Sequence, residues 1–367
     1  MSNPSPLENE IRRLIAVAGP MPIARYMSLC LSHPKYGYYI TRDPFGAQGD
    51  FTTAPEVSQI FGELLGLWAL SVWRMMDQPE NVRLVELGPG RGTMMRDALR
   101  AAKVLPAFRQ ALSVHMVEIS PTLEQLQRSA LSDIDIPLSW HRSLLDVPEG
   151  GATIILANEY VDALPVHQMV RQSTGWHERV IGLDANGNFK LGVTPDAVPQ
   201  FDRFLPEAIK QAAVGSIFEW RNDLHFFDIA RRVRNQGAAL IIDYGHIRSD
   251  LGETLQSVNE HAFADPLSAP GFADITAHVD FQILGQAAES MGATVQGPVT
   301  QGHFLSELGI GARAEALRKG ASGEQAANIT AAVVRLTESG RTGMGDLFKV
   351  IAVCDPKLGP LPGLQSA

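Results

Sequence analysis

The sequence predicts an α/β fold, one mostly parallel sheet with helices on both faces. Three observations lead there. The runs "NVRLVELG" (81–88), "LSVHMVEIS" (112–120), "GATIILANEYVDALP" (151–165), which passes into a polar loop, and "GAALIIDYG" (237–245) hold continuous rather than alternating apolar cores, as expected of strands covered on both faces. Helical segments separate them, and strands that alternate with helices build parallel sheets. A glycine-rich turn, "GPGRG" (88–92), leads from the first run into the helical stretch "TMMRDALRAAKVL". In that frame the backbone can approach a ligand closely.

The elements follow in order. Residues 7–31 carry helical patterns in "LENEIRRLIAVAG" and "MPIARYMSLCLSH". The segment "HPKYGYYITRDPFGAQGDFTTAPE" (33–56) is rich in glycine, proline and aromatics and reads as a structured loop. Tyr36, Tyr38 and Tyr39 within it read as loop packing. A helix is expected to begin near Thr53, with Thr53 and Glu56 as its capping box. Val57, Ile60, Phe61, Leu64, Leu65 and Trp68 would form its core face. Ser120 and Pro121 suit the N-cap and first position of a helix after the second run. Short alternating strands and an Asn-Gly turn at 186–187 make 166–200 an antiparallel insertion. A helix around 279–290, then "GATVQGPVTQ" and "GDLFKVIAVCD", complete the chain, the last as a final strand.

Bulk composition narrows the function classes. A chain of 367 residues, 45% hydrophobic and 19% charged, buries a large core. Its formal net charge of −9 argues against a broad basic surface for nucleic acid. Two cysteines far apart, Cys30 and Cys354, make neither a disulfide scaffold nor a cysteine-based metal site, and the histidines show no metal-ligand spacing. The apolar stretch "LLGLWALSVW" (64–73) is about half the roughly 20 residues of a membrane span. The N-terminus has early Glu8 and Glu10 and an apolar run broken by prolines and arginines, unlike a secretory signal or transit peptide. A soluble, intracellular protein is expected.

The spacing of the glycine turn bears on the ligand. A dinucleotide fingerprint reads G-x-G-x-x-G. Here Gly88, Gly90 and Gly92 run G-x-G-x-G, and Thr93 holds the third fingerprint position. Glu86, just before the turn, would repel a pyrophosphate and welcome a cationic end. Glu118 ends the next strand, where a carboxylate can take both ribose hydroxyls in either ligand class. Glu86 and Glu118 around this turn favour S-adenosylmethionine, which has an ammonium, a sulfonium and no phosphate. A nicotinamide-dependent oxidoreductase is the rival that the spacing disfavours.

The blocks "HPKYGYY" (33–39), "GDFTTAPEVSQIFGELLG" (49–66), "VELGPGRGTM" (85–94), "ANEYVDALPV" (157–166), "IIDYG" (241–245) and "DITAHVDF" (274–281) make the sequence resemble the MidA-like family of class I methyltransferases. The glycine turn alone is common to many methyltransferases, whereas the other blocks together are specific to this family. The resemblance covers nearly the whole chain. It implies a Rossmann-like, seven-stranded class I fold with a helical N-terminal extension and inserted segments. The division expected is 1–78 for the extension and a possible lid, 79–165 for the first part of the S-adenosylmethionine-binding core, 166–235 for the insertion, and 236–367 for the second part of the core. Mitochondrial relatives in that family are complex I assembly factors that methylate an arginine on a core subunit. The resemblance therefore implies a protein arginine N-methyltransferase with a complex I core subunit, or its bacterial counterpart, as substrate. A non-catalytic assembly chaperone is the alternative. Without a transit peptide, a bacterial, cytoplasmic form is expected.

Ligands of open α/β sheets bind at the carboxyl ends of the strands. One rim should thus carry Gly88, Gly90, Gly92, Glu118, Asn158–Asp162 and Asp243–Gly245. Asn158, Glu159 and Asp162 lie in the polar loop into which the third strand runs, where class I enzymes commonly hold the acceptor. A guanidinium is planar and permanently charged, so carboxylates can clamp it bidentately. Glu159 is the expected clamp, with Asp162 and Asn158 assisting. The resemblance implies that the N-terminal segment folds over the rim, so that Asp50, in "QGDFTT", is expected to reach the cofactor or the substrate. His278 reads as a structural histidine.

Overall fold

The computed structural model describes residues 4–42, 53–259, 262–340 and 343–365. The chain forms two compact units, each assembled from separated segments. The first takes Met1–Pro44, Asp162–Asn222 and Arg248–Asp280, and the second Phe45–Val161, Asp223–Ile247 and Phe281–Ala367.

In the first unit the helix Pro6–Ala18 opens with a capping box. Ser5 Oγ accepts from the Glu8 amide and the Glu8 carboxylate accepts from the Ser5 amide. Leu7, Ile11 and Ile15, four residues apart, place one stripe of this helix in a core shared with Tyr26, Met27, Val166 and Ile181. The helix Ile23–Ser32 lines the same core. As expected for the insertion, Val166–Gln172, Gly175–Leu183 and Phe189–Val193 pair antiparallel in sequence, and Ile217–Arg221 extends the sheet. The expected turn is present at Asn186-Gly187. Gly187 has φ +81, and the Asp184 carboxylate accepts from the amides of Asn186 and Asn188 at 2.8 Å each. The tyrosines of the 33–42 stretch pack within this unit. Tyr36 stacks on His33, Tyr38 is fully buried, and the Tyr39 hydroxyl donates to Asp274 at 2.9 Å.

The second unit holds the main sheet. Its path runs through seven strands, named here in chain order: β1 (Val82–Leu87), β2 (Leu112–Val117), β3 (Leu138–His141), β4 (Ala152–Asn158), β5 (Gly237–His246), β6 (Thr294–Thr300) and β7 (Phe348–Cys354). The spatial order is β3-β2-β1-β4-β5-β7-β6. Pairing is parallel from β3 to β5, and β7 enters antiparallel to both β5 and β6. The four apolar runs became β1, β2, β4 and β5; β1, β2 and β4 end where their runs pass into a rim loop, whereas β5 continues to His246. β3 was not anticipated. It reads "LSWH", is half-buried, and carries no apolar run. The helices Gln301–Glu307, Ile310–Arg318 and Gly323–Thr337 were not anticipated either.

Three helices matter for the site: α1 (Gln59–Met75), α2 (Thr93–Ala101) and α3 (Pro121–Ala130). The capping box expected at Thr53 and Glu56 does not form. Residues Ala54–Val57 make a single turn without a side-chain bond at Thr53. Ser58 is extended, and its hydroxyl accepts from the Ile60 amide at 3.2 Å, so α1 begins at Gln59. The apolar stripe expected of this helix does face the core through Ile60, Phe61, Leu64, Leu65 and Trp68. Ser120 caps α3 as expected, accepting from the Leu123 amide at 3.3 Å. Among the described residues no helix is long and apolar enough to cross a membrane.

From β1 the chain moves outward to β2 and β3, then returns to β4 on the other side. The carboxyl ends of β1 and β4 therefore flank the topological switch point, where open α/β sheets bind ligands.

Candidate functional site

A pocket lies at that switch point. It is lined by Thr53, Pro55, Glu56, Glu86, Gly88–Arg91, Thr93, Met94, Asn158 and Glu159. Of the expected rim residues the pocket takes Gly88, Gly90, Asn158 and Glu159, and Glu86, expected at the cofactor's cationic end, joins them; Gly92, Glu118, Asp162 and Asp243–Gly245 do not line it.

Glu86 is the last residue but one of β1 and is 2% exposed. Its Oε2 has no hydrogen-bond partner among the described residues. Burial, and then the charge of Glu118, hold its carboxyl well above the usual carboxylate range. The turn that follows is left-handed at each glycine, with φ +62 at Gly88, +53 at Gly90 and +82 at Gly92. At Gly88 the crowding comes from within the chain. A Cβ there would meet Tyr160 Cδ2 at 3.0 Å, so part of the glycine requirement is imposed by an aromatic ring and not by a ligand.

Gln127, on α3, was missed by sequence reading. Its Nε2 donates to the Gly90 carbonyl at 2.8 Å and to Glu118 Oε2 at 2.9 Å. Its own Oε1 accepts from Trp140 Nε1 at 3.0 Å. One fully buried amide thus ties the glycine turn to the acid at the end of β2. The only sequence signal was a glutamine four residues after Leu123, on the buried face of α3. Glu118 also accepts from the Ser120 amide at 2.7 Å. Burial is the larger influence on it and pushes its carboxyl up to about 7.

Asn158 ends β4 and is 7% exposed. Its Nδ2 donates to Glu159 Oε1 at 3.1 Å, and its Oδ1 has no partner among the described residues. Glu159 stands at φ +50, a left-handed conformation that side-chain-bearing residues rarely adopt. Its amide donates to the Ile242 carbonyl at 2.9 Å, and its Oε1 accepts from the Ala54 amide at 3.2 Å. The turn is fastened by Asp243. That fully buried carboxylate accepts from the amides of Val161 and Tyr244, both at 2.9 Å. Asp243 is therefore occupied in holding the loop.

Glu56 has a different task from the expected cap. Its Oε1 accepts from Thr93 Oγ1 at 2.6 Å. The third fingerprint position thus carries a hydroxyl that grips a carboxylate, where a dinucleotide fold would have glycine. Asp162 belongs to the first unit. There its Oδ1 accepts from the Ala163 amide at 2.8 Å, and its carbonyl accepts from Arg221 Nη2 and from the Ala277 amide, both at 3.2 Å. Residues 159–164 are bends and turns rather than helix. His278 also lies in the first unit, with its amide donating to Thr254 Oγ1 at 2.8 Å. Asp50 lies outside the described residues.

These groups fit S-adenosylmethionine. A left-handed glycine turn admits a ligand against the backbone. Two buried acceptors without partners, Glu86 Oε2 and Asn158 Oδ1, line the pocket and would be costly unless a donor meets them. A pyrophosphate would supply no donor.

A pH dependence follows from the raised carboxyls. Ionised Glu86 and Glu118 suit a cationic ligand and its ribose hydroxyls, whereas the protonated acids do not. Glu118, pushed up to about 7, is half ionised near that pH, so its binding-competent form grows as pH rises through about 7 and is lost as pH falls below it, and Glu86 is shifted in the same upward direction. Affinity for S-adenosylmethionine is expected to fall by about tenfold per pH unit below 7 if one proton must leave. Calorimetry at pH 5.5 to 8.5, in buffers of different ionisation enthalpy, measures both the affinity and the proton released. A flat profile with no proton release would overturn the assignment of these acids to the bound ligand.

Comparison with known proteins bears on the same site. A model of S-adenosyl-L-methionine-dependent methyltransferases matches residues 64–299. The chain is 38% identical to the mitochondrial protein arginine methyltransferase NDUFAF7 homolog of Drosophila melanogaster, covering 95% of this chain and 84% of that one. It is 37% identical to mitochondrial protein arginine methyltransferase NDUFAF7 of Homo sapiens, covering 85% and 75%. A COG1565 superfamily member from Burkholderia thailandensis, crystallised with S-adenosyl-homocysteine, superposes with TM-score 0.86 at 27% identity, covering 99% of this chain and 97% of that one. The expectation of a cytoplasmic protein is corrected by these relatives, since the curated ones are named as mitochondrial proteins. That expectation came from the polarity of the N-terminal stretch, of which Pro6–Ala18 fold into a capped helix. The matched segment spans the glycine turn, both strand-end acids and β4, and the chain belongs to the family of S-adenosylmethionine-dependent methyltransferases that includes these protein arginine methyltransferases.

Proposed function

We propose that this methyltransferase acts on an arginine nitrogen of a protein, and that the protein is a core subunit of respiratory complex I or its bacterial counterpart. The names of the curated relatives support an arginine acceptor. The complex I subunit is the substrate implied by the family resemblance. The observation that carries the reading is Glu159, a carboxylate on the pocket wall held in a strained left-handed conformation directly after β4. Strain of that kind persists where surrounding bonds over-determine it, and it clusters at functional sites.

The cofactor supplies an electrophilic methyl on a sulfonium sulfur. The chain's part is positioning. In-line transfer depends on holding the acceptor nitrogen in line with the methyl, and placement supplies much of the acceleration. Glu159 keeps the guanidinium plane fixed and holds positive charge on the nitrogens that do not attack. Asn158, donating to Glu159 Oε1, orients that carboxylate. Asp243, through the Val161 amide, keeps the loop from relaxing. Glu86, Glu118 and the glycine turn bind the cofactor, with Gln127 setting the distance between turn and acid.

The test is incubation of a purified complex I core subunit with the protein and S-adenosylmethionine, followed by peptide mass spectrometry. A methylated arginine is expected only when both are present. A subunit that binds the protein tightly yet stays unmodified would favour the assembly chaperone instead.

A further inference from the structure

We propose that Glu56 is a specificity residue of the cofactor pocket, reading the ammonium group at the amino-acid end of S-adenosylmethionine. The inference rests on the family's cofactor and on no assumption about the methyl acceptor.

Glu56 comes from the segment before α1, outside the glycine turn and both strand-end acids. Its place is set by one strong contact, the 2.6 Å bond from Thr93 Oγ1 to Oε1. The segment is fastened a second time where the Ala54 amide donates to Glu159. Its Oε2 has no hydrogen bond among the described residues, and no cation pairs with it there. The pocket it lines also holds the two buried, partnerless acceptors, Glu86 Oε2 and Asn158 Oδ1.

Those three acceptors match an ammonium better than a sulfonium. An ammonium has three N–H donors and needs an acceptor for each when it leaves water. A sulfonium has no donor, and its methyl must face an open path to the acceptor. Glu118, the candidate for the ribose, does not line this pocket, so the pocket is left for the amino-acid end. Hydrogen bonds to a charged group are the stronger ones, and losing one buried partner leaves the others under-satisfied. Thr93 explains how the carboxylate is kept in place. Without that hydroxyl, the Glu56 carboxylate has no other hydrogen bond to fix it among the described residues.

The test is equilibrium titration with three ligands that differ at one end. S-adenosylmethionine has ammonium and sulfonium, S-adenosylhomocysteine keeps only the ammonium, and 5′-methylthioadenosine has neither. Glu56→Gln is expected to weaken the first two alike, by about ten- to hundredfold, and to change the third by less than about twofold. Thr93→Val should weaken the same two by a smaller factor, and Thr93→Ser should restore them. Weakening of S-adenosylmethionine alone would assign Glu56 to the sulfonium and overturn the proposal. Equal weakening of all three ligands would make Glu56 a prop for the fold, and unchanged binding of all three would remove it from the site. If Glu56→Gln does not fold, as read by thermal melting, Thr93→Val decides, and intact S-adenosylhomocysteine binding in that variant overturns the proposal.

Discussion

Gly90→Val is expected to abolish S-adenosylmethionine binding while the protein still folds. Gly90 sits at φ +53, lines the pocket, and offers its carbonyl to Gln127 at 2.8 Å. Valine is β-branched and strongly disfavours a left-handed conformation. To relieve that strain the turn must move, and the Gln127 bond that joins it to Glu118 then breaks. The side chain would also occupy space against which the ligand packs. Calorimetry should show no heat of binding at ligand concentrations that saturate the native protein, with a melting temperature lowered by a few degrees at most. Native-like affinity in this variant would mean that the ligand sits elsewhere. Neither protein should bind NAD, because three carboxylates line the pocket and no glycine stands at position 93.

Glu159→Gln should lower methyl transfer by about a hundredfold or more, with cofactor affinity nearly unchanged. Glutamine keeps an oxygen that can accept from the Ala54 amide, so the local fold has what it needs. The charge is lost, and with it the partner that holds a guanidinium and localises its positive charge. Loss of one preorganised electrostatic partner typically costs about 10² to 10³ in rate. The measurement is single-turnover transfer from labelled cofactor to a protein substrate, beside a cofactor titration. Wild-type transfer would move the clamp to another residue. Loss of cofactor affinity in parallel with rate would make Glu159 a structural cap for the 54–57 turn rather than an acceptor clamp.

The sheet was legible because its signals are local. A strand buried on both faces must be apolar along its length, and β1, β2, β4 and β5 show that directly. The edge strand β3 did not, since a half-buried edge needs no continuous apolar run and "LSWH" has none. The start of α1 was misread for a similar reason. Thr53 and Glu56 have the spacing of a capping box, but Ser58 caps the helix and Glu56 bonds to Thr93, 37 positions away. A spacing rule cannot weigh a distant partner against a near one.

Sequence alone determined the strand–turn–helix frame, the acids at the ends of β1 and β2, the capped start of α3 and the antiparallel insertion. Each depends on residues within a few positions of one another, so periodicity and spacing carry them. Tertiary structure alone decided what those residues touch. It placed Gln127 between Gly90 and Glu118, set Glu159 against Ala54 across 105 positions, and brought Glu56 to the pocket wall. It also gathered three separated segments into the first unit and left Asp162 there, bonded to its own neighbours. A side chain's partner far along the chain leaves no periodic trace, because the contact is selected by the packing of whole elements and not by the residues beside it.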